Sequence, residues 1–423
     1  MLDIKFIREN ADLIKAGAKK KHLEVDIDRL MAVDEKRRGL LSEVETMRAK
    51  QNTVSDQVVK ASTDEKARLI GEMKVLKESL QAKEKELQEV DHSWQLLMVQ
   101  VPNIPDLSVP EGTTDADNVE VRTWGQKPAI KNPKSHIELT EALGLADFER
   151  GTKVAGFRGY FLKGDGALLN YAVWQFVMDH FVKKGGFTLM LVPSLVKRVA
   201  FLGTGYLPQG EEDLYKTQDG DFLAGTGEVA TMAYYMNETL DKKDLPLKIV
   251  AFSPCFRREA GSHGKDTKGL MRVHEFFKFE QVVLCEASHE ESVKHHEELT
   301  KNAEELLQAL KLPYHVVINC GGDLGLGQVK KYDIETWVPS EGKYRETHSS
   351  SYFHDFQTRR LNIRYRDDSG AMQYAHSLNN TALATPRILI AILENYQNED
   401  GSITVPEVLR SYMGKDKIEK RVV

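Results

Sequence analysis

The chain has 423 residues and a formal net charge of -6, with 58 Lys plus Arg against 64 Asp plus Glu. This length predicts two or three domains with at least one sizeable core, and the charge excludes a general attraction to nucleic acid, so that a polyanionic partner needs a local basic patch. No segment is typical of a signal peptide or approaches the roughly 20 apolar residues of a membrane span, so we expect a cytoplasmic protein without membrane contact.

The first predicted elements are two long helices. No proline occurs between Ile27 and Val101, and apolar residues recur in steps of three, four or seven, which is typical of a coiled-coil seam. Ser62 and Glu65 interrupt the pattern with helix-start chemistry. The sequence therefore predicts an antiparallel helical hairpin over about 27–101, with arms of roughly 50 Å.

Periodicity does not decide what the hairpin does. It is consistent with a dimerisation coil, which the pattern alone favours, and with an arm that grips a large partner. Basic residues form a possible stripe along the first helix, but interleaved acids leave an ordinary solvated face equally open. The residues of this stripe are Lys15, Lys19, Lys20, Lys21, Lys36, Arg37, Arg38, Arg48, Lys50 and Lys60.

A proline-containing linker, VPNIPDLSVPEG at 101–112, ends the helical part, and the hydrophobic pattern of the sequence changes after it. Short β-rich runs follow one another, often without a helix between them. This order favours an α+β fold with a mainly antiparallel sheet flanked by helices.

The segment 251–280 carries the clearest chemistry. We predict a strand through AFSPCFRRE, a polar loop and a return strand through LMRVHEFFKFE. Strand alternation would place Arg257 and Glu259 on one face with Arg258 opposite. A guanidinium fork suits a phosphate or a carboxylate.

On the return strand, Phe276, Lys278 and Glu280 share a face. An aromatic ring suits a purine and a carboxylate suits an amine or a hydroxyl, so the two strands together describe a site for a nucleotide beside a small polar molecule. Taken alone, the segment is equally consistent with a surface hairpin that carries ordinary cross-strand ion pairs.

The cysteines give no second site. Cys255, Cys285 and Cys320 are far apart and lack neighbours at zinc-ligand spacing, so we expect neither zinc nor a disulfide framework. We interpret each as a small buried apolar residue.

The segment 251–280 resembles motif 2 of the class II aminoacyl-tRNA synthetases. GFTLMLVPSLV (186–196), with Pro193, resembles motif 1, and NNTALATPRILIAILENYQ (379–397) resembles motif 3. LAGTGEVA (223–230), RETHSSSYFHDFQTRRLNIRYR (345–366) and the VPNIP linker narrow the resemblance, which covers essentially the whole chain, to seryl-tRNA synthetases of the bacterial type.

The resemblance implies a tRNA-binding domain at 1–108, whose hairpin grips the long variable arm of tRNA, and a class II catalytic domain at 109–423. It also implies ATP-dependent activation of L-serine with Mg²⁺, transfer to tRNA(Ser), with tRNA(Sec) as a further expected acceptor, and a homodimer formed through motif 1.

Site residues follow from the same resemblance. Catalytic residues are expected at Arg257, Glu346 and Arg387. ATP is expected at Arg257, Arg258, Glu259, Phe276, Glu346, Thr347, His348, Ser349 and Arg387, and the divalent ion at Glu346 and Ser349. Serine is expected at Thr226, Gly227, Glu228, Arg257, Glu280, Asn379 and Thr381.

The placement of hydroxyl partners at Glu280 and Thr381 has a physical logic. A pocket that only excludes bulk discriminates weakly against alanine, whereas buried polar groups left unpaired by alanine discriminate by roughly 10⁴ or more. No side chain in this scheme acts as a nucleophile, so catalysis is expected to consist of positioning and charge stabilisation.

Some positions depart from the common family pattern, and we expect them to affect only the detailed shape of the pocket: Gly321, Tyr352, Asn380, Thr385 and Pro386. His263, Lys265 and Lys268 either contact the acceptor stem of tRNA or belong to a solvated loop.

Two other functions stay open, a serine-activating ligase for a carrier protein and a non-catalytic tRNA-binding paralogue. The intact arm disfavours the first, and the presence of Arg257, Glu346 and Arg387 disfavours the second.

Overall fold

The computed structural model describes residues 1–261, 264 and 266–420. Its contacts divide the chain into two compact units. The helical unit comprises Leu2–Lys19 and Leu23–Pro102, and the sheet unit comprises Met1, Lys20–His22 and the chain from Asn103 onward.

The helical unit is dominated by two long helices. Its helices are α1 (Ile4–Glu9), α2 (Ala11–Lys20, whose last residue belongs to the sheet unit), α3 (Ile27–Lys60) and α4 (Thr63–Met98). A capping box of Ser62 and Glu65 starts α4 as predicted. The 34 residues of α3 extend over about 50 Å.

Charged pairs between α3 and α4 show that the helices run antiparallel. Arg48 pairs with Glu84 at 2.7 Å, Lys36 with Glu86 at 2.9 Å, and Arg37 with Asp91 nearer the open end. The predicted hairpin is therefore confirmed, with buried seam residues at Leu40, Val44, Val54, Leu69, Leu80 and Val90.

The predicted basic stripe is only partly a free surface. Lys36, Arg37 and Arg48 are engaged in the ion pairs between the two helices. The prediction that Lys21 belongs to the stripe is wrong. Lys21 is buried in the sheet unit, and its ammonium donates to the carbonyl oxygens of Gly325, Leu326 and Gln328.

The sheet unit contains the remaining elements. Its helices are α5 (His136–Leu143), α6 (Phe148–Ala155), α7 (Asp165–Lys184), α8 (Arg198–Thr204), α9 (Gly227–Tyr234), α10 (His289–Ala309), α11 (Phe356–Leu361), α12 (Arg387–Asn395) and α13 (Arg410–Met413). Its longer strands, which form the main sheet, are β1 (Val119–Trp124), β4 (Thr188–Leu191), β9 (Leu247–Phe256), β10 (Glu275–Cys285), β11 (Tyr314–Ile318), β12 (Lys330–Val338), β13 (Lys343–His354) and β16 (His376–Thr385). Short strands are β2 (Ala146–Asp147), β3 (Phe161–Leu162), β5 (Leu195–Val196), β6 (Tyr215–Lys216), β7 (Phe222–Leu223), β8 (Thr239–Leu240), β14 (Arg364–Arg366), β15 (Met372–Tyr374), β17 (Ile403–Thr404) and β18 (Lys417–Ile418).

The main sheet has eight strands in the order β1-β11-β12-β13-β16-β10-β9-β4. All neighbouring pairs are antiparallel except β4 and β9, which run parallel at one edge. The predicted α+β class with a mainly antiparallel sheet is confirmed.

The largest apolar core lies between this sheet and helices α7, α10 and α12. Val173, Leu306 and Ile392 from the helices pack with Phe279 and Ile334 from the strands, and all five are buried. Phe279 alternates along β10 with Lys278 and Glu280, so the opposite face of the central strands is left for polar residues.

The three cysteines are free and buried, as predicted for small apolar residues. Within the part of the chain that the structure describes, no helix combines the length and the apolar character that a bilayer crossing needs.

Candidate active site

A cavity of about 440 Å³ opens in the sheet unit over the polar face of the central strands. Strands β10, β13 and β16 form its floor, and the ends of α8, α9 and β9 form part of its wall. Lining residues that the sequence singled out are Glu228, Arg257, Glu259, Phe276, Lys278, Glu280, Glu346, Thr347, Ser349, Asn379, Thr381 and Arg387.

Arg257 enters the cavity just beyond the end of β9. Its backbone N–H donates to the carbonyl oxygen of His274 at 3.0 Å, and its guanidinium lies 5.3 Å from the centre of the Phe276 ring. Nε and Nη2 of Arg257 point to the carbonyl oxygen of Gly225 at 3.4 and 3.3 Å. The arginine thus stands beside the aromatic ring, as a phosphate binder next to a purine site would.

The predicted continuation of the strand from Phe256 to Glu259 is wrong. Strand β9 ends at Phe256, and Glu259 has a φ of 54°, in the left-handed region. Since the backbone is not extended, Glu259 reaches the cavity through a turn, where its carboxylate pairs with Arg272 at 2.7 Å. The return strand likewise begins at Glu275, later than predicted.

A register shift in β13 presents three neighbouring polar residues to the cavity. Ile334 pairs with His348 but Glu335 pairs with Glu346, so Thr347 is the extra residue of a bulge. Bulges re-aim side chains in this way, and Glu346, Thr347 and Ser349 all line the cavity. His348 faces the other side, where its Nε2 meets the carbonyl oxygen of Ala382 at 3.1 Å.

Arg387 and Glu346 form an electrostatic pair at the cavity wall. Nη1 of Arg387 donates to the carbonyl oxygen of Glu346 at 3.0 Å and lies 3.7 Å from its carboxylate. Burial raises the pKa of Glu346, but the charges of Arg387, Lys331 and Arg257 outweigh it and hold the pKa below its ordinary value. The carboxylate is therefore kept ionised and is half exposed to the cavity.

Two carboxylates lie deep in the cavity near the start of α9. Glu228 accepts hydrogen bonds from the Tyr206 hydroxyl at 3.0 Å and from Nε2 of Gln357 at 2.6 Å. Burial raises its pKa, and the nearby Glu280 raises it further. The Thr226 hydroxyl caps α9 by accepting from the N–H of Glu228 at 3.2 Å, and it donates to Oε2 of Glu280 at 3.4 Å.

A second bulge brings Thr381 opposite Glu280. On β16, Leu383 pairs with Phe279 but Thr381 pairs with Glu280, which leaves Ala382 as the extra residue. Thr381 and Asn379 then line the cavity together with Glu280. The side chain of Asn380 points away and donates to the carbonyl oxygen of Leu299 at 2.7 Å.

Four expected site residues do not line the cavity wall. Arg258 binds the loop around Asp213 through its backbone N–H, and His348 faces away from the cavity. Thr226 stands behind Glu280, and Gly227 packs on β9, where an added Cβ would lie 3.4 Å from Ala251. His263 and Lys265 lie outside the described residues, whereas Lys268 is exposed.

The chain resembles known proteins over its whole length. The family model of the seryl-tRNA synthetase N-terminal domain matches residues 1–105, and that of the tRNA synthetase class II core domain (G, H, P, S and T) matches residues 215–396. The serine--tRNA ligase of Deinococcus radiodurans is 48% identical over 98% of both chains. The chain belongs to the seryl-tRNA synthetase family, whose members are class II serine--tRNA ligases.

Other members of the family agree with this assignment. The serine--tRNA ligase of Caldicellulosiruptor saccharolyticus is 45% identical over 99% of this chain and 100% of its own. The crystal structure of seryl-tRNA synthetase from Pyrococcus horikoshii complexed with ATP superposes with a TM-score of 0.92 at 39% identity, covering 100% of both chains.

Two charged residues that line the cavity, Arg272 and Lys278, have no role assigned from the sequence. Arg272 pairs with Glu259, and Lys278 contacts the carboxylate of Glu280. The sequence predicts Lys278 on the same strand face as Glu280, but the neighbouring residues do not indicate that this face is buried. The position of the Arg272 side chain could not be predicted from strand alternation, because this residue lies in the irregular segment before β10.

Proposed function

We propose that this chain activates L-serine with ATP to seryl adenylate and transfers the seryl group to the 3′ end of tRNA(Ser). The observation that carries the proposal is one cavity that unites Arg257, Phe276, Glu346 and Arg387 with the buried carboxylates Glu228 and Glu280. The family membership of the chain supports the same activity.

In the proposed nucleotide site, the adenine stacks on Phe276 and the α-phosphate contacts Arg257. The cation–aromatic contact between these two side chains fixes their spacing, which suits a nucleotide laid across them. Arg387, whose partner is the carbonyl of Glu346, is proposed to hold the phosphate tail. Glu259 is then a partner of the adenine amine, oriented by Arg272.

Glu346 and Ser349 fit a divalent ion such as Mg²⁺. A carboxylate kept ionised by neighbouring cations and a hydroxyl on the same strand are hard oxygen donors, and both line the cavity. The ion would supply charge neutralisation on the phosphates. Within the described residues no cluster of three or more His, Cys, Asp or Glu ligands exists, so phosphates and waters would complete the coordination.

The reaction needs no protein nucleophile. The serine carboxylate attacks the α-phosphorus of ATP and pyrophosphate leaves, while Arg257 stabilises the charge that develops on the α-phosphate. A terminal ribose hydroxyl of tRNA then attacks the carbonyl carbon of seryl adenylate and AMP leaves. The protein contributes positioning and fixed charges.

In the proposed serine site, the amino group binds near Glu228, whose N–H is held by the Thr226 hydroxyl, and the serine hydroxyl meets Glu280 and Thr381. Glu228 is held through both oxygens by Tyr206 and Gln357, so its position is set before serine binds. Alanine would leave the hydroxyl partners unpaired, and threonine would add a methyl group that the wall must exclude.

For tRNA, we propose that residues 1–108 form the tRNA-binding domain and 109–423 the catalytic domain, with the α3–α4 hairpin on the variable arm of tRNA(Ser). Charging of tRNA(Sec) is a further proposal, because the hairpin would read the long arm by shape and phosphates rather than by sequence. The cytoplasm, where tRNA and ATP are available, is the proposed location.

A homodimer is also proposed. Leu189 and Leu191 on the edge strand β4 are exposed, the latter by 80%, together with the nearby Leu195. Exposed leucines beside an unpaired strand edge are typical of a protein interface. Sedimentation velocity of the purified chain tests this, with Leu191→Lys as the disrupting variant.

The activity is tested by serine-dependent exchange of pyrophosphate into ATP, followed by charging of purified tRNA(Ser) and tRNA(Sec). The proposal predicts exchange that requires serine and Mg²⁺, and charging of tRNA(Ser). Exchange without charging would indicate a ligase for another acceptor, and tRNA binding without exchange would indicate a non-catalytic paralogue.

A further inference from the structure

Lys278 occupies a position that the proposed reaction does not yet use. It lies on β10 between Phe276 and Glu280, and only 7% of it is exposed. Its ammonium contacts Oε2 of the Glu280 carboxylate. A buried lysine is costly unless it is paired, so its location on the floor of a cavity requires a reason.

The hydrogen bonds to Glu280 are one-sided. Among the described residues, two donors bind this carboxylate, the Lys278 ammonium and the Thr226 hydroxyl at 3.4 Å, and both bind Oε2. Across β9, Lys278 is paired with Ser253 and Glu280 with Ala251, and these small residues leave space for the two long side chains. Oε1 is therefore the oxygen that a ligand in the cavity can engage.

Lys278 also balances a concentration of negative charge. Glu228 from α9 lies near Glu280. Burial and then the charge of Glu280 raise the pKa of Glu228, while the hydrogen bonds from Gln357 and Tyr206, and after them the charge of Lys278, oppose the rise. In the part of the chain that the structure describes, Cys255 on β9 and Arg257 just beyond that strand are further titratable groups close to Glu280. Arg257 is directed to the Gly225 carbonyl, and Thr381 opposite Glu280 is neutral.

We propose that Lys278 is a positioning residue that sets the preference for serine, because its ammonium fixes Oε2 of Glu280 and thereby turns Oε1 toward the hydroxyl of the bound amino acid. This inference rests on the proposed function. It assigns Lys278 no direct contact with ATP. The expected consequence is a specific loss of hydroxyl recognition when the ammonium is removed.

The test compares wild type, Lys278→Met, Glu280→Gln and the double variant in pyrophosphate exchange with serine and with alanine. Lys278→Met should lower kcat/KM for serine by about 10- to 100-fold, as for one lost hydrogen bond to a charged group, and lower the preference over alanine by a similar factor. KM for ATP should stay within about twofold of wild type, because the ammonium does not touch the nucleotide.

Lys248→Met is the matched control. Lys248 is also a partly buried lysine in this sheet, paired with Glu298 at 2.7 Å, but it does not line the cavity. It should leave the serine preference at the wild-type value. A Lys278→Met protein whose serine preference stays within about twofold of wild type would overturn the inference.

The double variant keeps the test decisive if Lys278→Met does not fold, because Lys278→Met with Glu280→Gln leaves no lone buried charge. If Lys278 acts through Glu280, the double variant and Glu280→Gln should have the same serine preference within about threefold. A larger further loss would show that Lys278 acts on the substrate independently and would overturn the inference. A wild-type chain without serine-dependent exchange would instead overturn the proposed function, and the inference with it.

Discussion

The helical hairpin and the cavity carry charge in different ways. The ion pairs between the two helices of the hairpin are accessible to solvent: Arg48 is 61% exposed and its partner Glu84 37%. In the cavity, Lys278 and Glu280 are almost completely buried. Solvated ion pairs contribute about 0–1 kcal/mol each, whereas loss of one partner of a buried pair costs about 3–5 kcal/mol.

This difference in burial indicates where the substitution of a single residue should affect function. A long solvated surface that meets phosphates distributes binding over many weak contacts, so individual basic residues of the hairpin are exchangeable. In the cavity each charged group has fixed partners and one proposed task. We therefore expect point substitutions to be decisive in the cavity and only larger changes to be decisive in the hairpin.

The largest effect is expected from Arg257→Ala. Loss of the guanidinium removes charge stabilisation in the transition state, and adenylate formation should slow by about 10³-fold or more, a much larger loss than that in serine affinity. Single-turnover kinetics and calorimetric serine binding measure the two quantities. Arg366→Ala, an exposed arginine on β14, is the control. An equal loss in rate and in serine affinity would contradict the role.

Shortening the hairpin should separate the contribution of the hairpin to tRNA charging from that of the cavity to serine activation. Removal of residues 47–60 and 63–76, about two heptads from each helix, keeps the seam in register. Charging of tRNA(Ser) should fall by about 10²- to 10³-fold through the lost phosphate contacts, while pyrophosphate exchange stays within about twofold. A parallel loss of exchange would show that the hairpin and the cavity are not independent in function.

Glu346→Gln should lower exchange by about 10²-fold and raise the Mg²⁺ concentration needed for half-maximal activity. The substitution keeps the size of the side chain but removes the charged ligand. Glu335→Gln is the matched control, since Glu335 pairs with Glu346 across the strands but binds His315. An unchanged Mg²⁺ dependence would rule out Glu346 as a ligand.

Acidification should destabilise the sheet unit more than the hairpin. Burial lowers the pKa of both His296 and His348 to about 4 from 6.5. Between these values the unfolded chain binds protons that the folded chain does not, so stability falls as the pH drops from 6.5 toward 4. The loss is about 2 kcal/mol per histidine between pH 7 and pH 5.

The hairpin provides the comparison for this pH effect, because His92 is its single histidine and is exposed. Hydrogen exchange followed by mass spectrometry, corrected for intrinsic rates, should show protection in β12 and β13 falling at pH 5 while α3 and α4 change little. Equal losses in both regions would contradict the assigned role of the buried histidines.

The contrast also explains what the sequence could predict. The hairpin follows from local spacing, since apolar steps of three and four residues and the capping box of Ser62 and Glu65 determine it without distant contacts. The antiparallel sheet followed from short strands without intervening helices. The roles of the cavity residues depend on the family resemblance, because these residues are separated by up to 183 positions, between Thr204 and Arg387.

Other features could not be predicted because they depend on register and on distant packing. The bulges at Thr347 and Ala382 decide which side chains of β13 and β16 face the cavity, and strand alternation alone predicts a different set. The turn at Glu259 needs the left-handed backbone that its surroundings impose. Burial of Lys21 depends on carbonyl groups about 300 residues later in the chain.

The most direct test of the central claim is a crystal structure with a non-hydrolysable sulfamoyl analogue of seryl adenylate. We predict the serine hydroxyl at about 2.7 Å from Oε1 of Glu280, the sulfamoyl group against Arg257, and the adenine on Phe276. An analogue bound outside this cavity, or a serine hydroxyl that meets only water and not Oε1 of Glu280, would contradict the account.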